Sequence, residues 1–168
     1  MRIADTMLPE VEKEMAQTRK ALARVPDDKF SYKPHEKSMT MGALALHIAM
    51  MADWGADTLV SDDFDVAPVN GSAYQMPKAE TSAELLALFD ASVARLKANL
   101  AATENDAMMQ PWSLLQGGQP IFTMPRAAVM RGMILNHLVH HRGQLTVYLR
   151  LCDVPVPALY GPSADEAN

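Results

Sequence analysis

The sequence predicts an all-α protein, a four-helix bundle with a small β-hairpin in the connection before the last helix. Three observations predict it. Four long segments place apolar residues at the three- and four-residue steps of a helix facing a core. The pair Gly117-Gly118 sits between two short apolar runs, the pattern of a tight hairpin. Apolar residues make up 49% of the chain and charged ones 21%, and 168 residues is the size of one domain, so 1–168 reads as a single unit.

The first helix is expected over roughly Arg2 to Val25. Its stripe holds Ile3, Met7, Val11, Met15, Thr18, Leu22 and Val25, and Pro26-Asp27-Asp28 stops it. The second runs from about Ser38 or Thr40, either hydroxyl serving as N-cap, to Val60. The third opens at Thr81-Ser82-Ala83-Glu84, a capping-box pattern, and continues through Leu85, Phe89, Val93, Leu96 and Leu100. The fourth is expected to begin near Pro125 and run to about Cys152, stopped before Pro155. Residues 26–37, 61–80 and 105–124 are the connections, and the last carries Trp112 and the hairpin.

Charge and cysteine usage exclude several classes. Fifteen basic against twenty acidic residues give a formal charge of −5, which argues against a nucleic-acid partner. The single cysteine, Cys152, rules out an internal disulfide framework and fits a reducing compartment. The N-terminal residues lack a signal-peptide core, and the longest apolar stretch, about Met41 to Ala52, is too short to span a bilayer. The expectation is a cytoplasmic protein with no membrane partner. No P-loop or G-x-G-x-x-G pattern points to a nucleotide.

Three of the five histidines lie inside apolar helical patterns. His137 and His141 are four apart, one turn above each other on a stripe with Met130, Met133, Ile134, Gln144, Tyr148 and Leu151. His47 shares its stripe with Leu44, Met51, Trp54 and Thr58. Two inward-facing helices thus bring three imidazoles toward one core. Buried imidazoles need partners, and three of them cannot satisfy one another. A divalent cation supplies the partner, and three protein ligands leave a position open for water or substrate. Imidazole suits zinc, nickel, copper and iron alike. His140 lies at the edge of the stripe, which favours His141 as the second ligand of the pair. His35, between Pro34 and Glu36, reads as a loop residue.

Around this triad the candidates for further roles are few. Asp53 and Asp57 flank the His47 stripe and either orient a ligand or form a solvated helix edge. Gln144 and Tyr148 either approach the pocket or are core polar groups satisfied elsewhere. Trp54 either stacks on substrate or fills the core. Cys152 lies eleven residues beyond His141, about 16 Å along a helix, and is no ligand. No glutamate adjoins a histidine ligand in the H-E-x-x-H manner, so a general base is not evident.

The stretch Pro34-His35-Glu36-Lys37-Ser38-Met39-Thr40-Met41-Gly42-Ala43-Leu44-Ala45-Leu46-His47 resembles the first signature of the DinB-like family of metalloenzymes. Asn136-His137-Leu138-Val139-His140-His141-Arg142-Gly143-Gln144-Leu145 resembles its second, and Tyr148-Leu149-Arg150 and the Val154-Pro155-Val156-Pro157 exit continue the likeness. The resemblance covers essentially the whole chain. It implies a four-helix bundle with an unusual connection order and a divalent metal, nickel or zinc, on His47, His137 and His141. Related enzymes include transferases and isomerases that use a low-molecular-weight thiol.

Such a site has two uses: in a small-molecule hydrolase, or in a thiol-cofactor-dependent transferase. The competing reading is a non-enzymatic helical bundle that binds a metal or ligand as a sensor or stress-related module. Apolar residues on the outer side of the last helix, Leu135, Val139 and Leu149, add the expectation of a homodimer.

Overall fold

Two threonines set where the bundle's central helices start. Thr40 accepts a hydrogen bond from the Ala43 N–H and caps α2 (Met41–Thr58); Thr81 accepts from the Glu84 N–H and caps α3 (Ser82–Ala102). The computed structural model describes residues 1–167. In it α1 (Ile3–Leu22) is followed by one 3₁₀ turn at Asp27–Lys29 and then by α2. After α3 come the short α4 (Asn105–Met109) and a rod made of α5 (Arg126–Val129), a π-helical stretch at Met130–Asn136 and α6 (His137–Leu151).

The four long elements pack as the sequence predicts. α3 and α6 each lie against both α1 and α2, so α1 and α2 sit across the bundle from one another. Val11, Leu22, Leu44, Ile48, Met51, Leu85, Phe89, Leu96, Leu138 and Leu145 fill the core with almost no exposure. Among the described residues, no helix is long and apolar enough to cross a membrane.

The last helix differs from expectation in two ways. Pro125 is not its first residue: it ends strand β3 and stands at the cap position of α5. The rod is also not uniformly α-helical, because Met130–Asn136 is wound wider. A π turn takes one more residue than an α turn, so it shifts the register of α6 relative to α5. Apolar spacing alone does not reveal such a shift.

The hairpin is present as β2 (Pro111–Gln116) and β3 (Gln119–Pro125), turning through Gly117 and Gly118 at φ of 61° and 74°. Positive φ at both turn positions is what a two-residue hairpin demands and what glycine supplies without strain. The polar connection at 61–80 adds a third strand that periodicity does not reveal. β1 (Asp63–Asp65) pairs in parallel with β2. Its Asp65 carboxylate accepts hydrogen bonds from the backbone of Ala67, Gly117 and Gly118, which pins the strand to the turn. Arg126, 6% exposed, donates to the carbonyls of Thr58 and Ser61 and pairs with Asp62. One guanidinium thereby fixes the end of α2 against the start of the last rod.

Leu135 and Leu149 are buried within the chain, and Val139 packs against the same core. The apolar outer side of the last helix is therefore covered from within, and these three residues do not call for a second copy.

Candidate metal centre

His47 stands mid-way along α2, and His137 and His141 occupy the first turns of α6. Their ligating nitrogens all lie within 4.8 Å of one another. His137 Nε2 is 2.8 Å from His141 Nε2 and 3.5 Å from His47 Nε2. All three rings are half-buried.

The other nitrogen of His141 is held from behind. Gln144 Oε1 is 2.7 Å from His141 Nδ1, and its amide nitrogen is 3.1 Å from His140 Nε2. An amide oxygen only accepts, so His141 donates from Nδ1 and keeps its lone pair on Nε2. His137 Nε2 and His141 Nε2 approach to 2.8 Å, so the two rings either share a proton or hold a common cation.

The donor set fits a divalent metal. Nitrogens sharing one tetrahedral cation stand about 3.3 Å apart, inside the 2.8–3.5 Å range found here. Burial, reinforced by the neighbouring rings of His141 and His137, pushes the His47 imidazole down to about 4. Burial also lowers His137. Both rings are therefore neutral near pH 7, the state in which imidazole ligates metal.

The remaining candidates separate clearly. Gln144 is at the site, as the hydrogen-bonding support of His141. Trp54 is at the site too: its ring meets His47 edge-on at 5.2 Å, and its Nε1–H is buried without an acceptor among the described residues. Asp53 and Asp57 both pair with Arg95 of α3. Tyr148 turns to the loop before α2, where its hydroxyl donates to the Met39 carbonyl at 3.2 Å. His140 packs beside His141 at 4.9 Å and is linked to it through Gln144. His35 is exposed and accepts from the Lys37 N–H within its own loop. Cys152 is half-buried against the core.

Sequence reasoning singled out neither of two further contributors. Phe64 and Val66, from the connection containing β1, help wall a cavity beside His137, together with Trp112, Leu114 and Phe122 of the hairpin.

The sequence profile of the DinB family matches residues 1–168. Over 164 residues the chain is 30% identical to the Bacillus subtilis protein YrdA, spanning 96% of this chain and 90% of that one. A DinB-like protein from Bacillus cereus has the same fold, with a TM-score of 0.70 at 19% identity, covering 93% of this chain and 97% of that one. The DinB-like protein YjoA of Bacillus subtilis gives a TM-score of 0.66 at 18% identity, covering 90% and 96%.

Proposed function

The chain belongs to the DinB family, and on that premise we propose that it is a divalent-metal-dependent enzyme acting on a small molecule. The observation that carries this reading is the convergence of three imidazoles whose ligating nitrogens all lie within 4.8 Å of one another. His47, His137 and His141 would hold the ion, nickel or zinc, and it would supply Lewis acidity at a position left open to a reactant.

Of the two chemistries, thiol transfer asks less of the chain's own residues. Asp53 and Asp57, the acidic side chains flanking His47 on α2, are both held by Arg95, which leaves α2 no unpaired carboxylate to steer a water. A metal-bound thiol ionises readily and needs only an electrophile to attack. Gln144 holds His141 in the tautomer that leaves Nε2 free to ligate. Trp54 packs edge-on against His47. A low-molecular-weight thiol is the co-substrate this reading requires. A single cysteine and an acidic balance suit work in the cytoplasm.

The test is metal analysis followed by a turnover screen. Purified protein is expected to bind nickel or zinc at one ion per chain, and His137→Ala to lose it with an unchanged helical spectrum. Conjugation of a small thiol to an electrophile is expected only in the loaded wild type. Failure of both metals to bind sinks the proposal. Tight metal binding with no turnover of thiols, esters or amides supports the second reading, a binding module, which the pairing of Asp53 and Asp57 with Arg95 also favours.

A further inference from the structure

Beside His137 lies a cavity of about 200 Å³ between α2, the last rod and the sheet. Trp54, Phe64, Trp112, Leu114, Phe122 and Ile134 form half of its wall. The polar side chains there are few and mostly engaged. Asp57 pairs with Arg95, and Thr58 donates to the Trp54 carbonyl. His137 marks the end of the cavity where the three rings converge.

An apolar chamber with one polar end sorts molecules by their bodies. A charged or sugar-like body entering it loses hydration and finds few partners. A flat hydrocarbon body gains burial and edge-on ring contacts with four aromatic side chains. The size is also selective, since an apolar cavity of about 150 Å³ is enough to hold benzene.

We propose that the substrate of this site carries an uncharged body of one aromatic ring, seated between Trp54 and the sheet, with its reacting polar group at the His137 end. A hydrophilic thiol co-substrate then approaches the ion from outside this cavity. The proposal rests on the metal reading for the polar end, and on the cavity alone for the ring.

The chain's two tryptophans, Trp54 and Trp112, both wall the cavity, so their emission reads its occupancy directly. Three probes separate body from head: toluene has the ring alone, acetohydroxamate the metal-seeking head alone, and benzhydroxamate both. Each is titrated into nickel-loaded and chelator-treated protein, with saturation-transfer NMR as a second readout. Toluene is expected to bind both preparations. Benzhydroxamate is expected to bind the loaded protein about tenfold to a hundredfold more tightly than acetohydroxamate. Val66→Phe, which fills the cavity, and Leu114→Gln, which makes its wall polar, should each weaken toluene and benzhydroxamate about tenfold. Neither should change acetohydroxamate. Equal affinity of the two hydroxamates for loaded protein, or no toluene binding to folded protein, overturns the proposal. Toluene binding with no metal dependence of either hydroxamate leaves the ring cavity standing and overturns the metal reading instead.

Discussion

Gln144 holds His141 with one end of its amide and His140 with the other. It is exposed, so removing it should cost little stability. It should cost metal affinity, because a ligand ring freed from its rear partner loses both orientation and basicity. Gln144→Ala is expected to weaken nickel or zinc binding about tenfold to a hundredfold, read by competition against a chromogenic chelator. Unchanged affinity would mean that Gln144 has no part in the site. His47 gives the second test at this scale. Its folded pKa, about 4, lies below its ordinary 6.5, with His137, His141 and Trp54 facing it. Between those values the unfolded chain takes up a proton that the folded chain refuses. Stability of the metal-free protein is therefore full above pH 6.5 and declines as pH falls toward 4. The urea midpoint of chelator-treated wild type should drop more between pH 7 and pH 5 than that of His47→Gln. Equal drops would remove His47 as the cause. The three ligands were legible because histidine is rare in an apolar stripe and conspicuous there. Phe64 and Val66 were not, because an apolar residue in a connection carries no sign that it will line a cavity.

Among the elements, the long helices were legible from their apolar steps and from Thr40 and Thr81 at their starts. β1 was not, since Asp-Phe-Asp is three residues long and owes its conformation to pairing with β2 and to the backbone bonds of Asp65. The π-helical stretch was hidden for a related reason: Met130 and Ile134 are buried on a four-residue step that an α-helix also gives. Arg142 shows how a residue inside a recognisable motif can serve the packing of elements. It is 1% exposed and donates to the Glu14 carbonyl at 3.0 Å, to Thr18 Oγ1 at 3.1 Å and to Glu14 Oε2 at 2.7 Å. Tyr160, beyond α6, donates to the same carboxylate at 2.7 Å. The network joins α1, α6 and the C-terminal segment around one buried ion pair. Arg142→Met leaves Glu14 buried and unpaired and should cost about 3–5 kcal/mol. Arg142→Met with Glu14→Met removes both charges and should recover much of that loss in urea denaturation. A double variant no better than the single would show that the guanidinium's bonds to backbone and Thr18, not the pairing of charges, hold the elements together.

At the scale of the whole molecule, the question is whether the cation builds the fold or uses it. α2 carries one ligand and the last rod two, so a bound ion ties two of the four long elements together. Those elements also meet through contacts that do not involve the ligands. A Cβ on Gly55 of α2 would stand 3.1 Å from Ile134 Cγ2 and 3.5 Å from the Met130 methyl, so the absence of a side chain there lets α2 approach the rod. Arg126 joins their ends as well. Core, caps and these helix contacts do not run through the three ligands, so the ion is expected to add stability by binding the folded state rather than by building it. At a hundred times its dissociation constant, that addition is about 2.7 kcal/mol. For a chain of this length it corresponds to roughly 5–10 °C in Tm. Chelation is expected to lower Tm by that amount while leaving a single cooperative transition and an intact helical spectrum. Collapse of the helical signal on chelation would assign the ion a structural role, against the close packing at Gly55 and Arg126. A Tm indifferent to saturating nickel and zinc would deny these metals the site altogether, leaving the 2.8 Å approach of His137 and His141 without the cation that explains it.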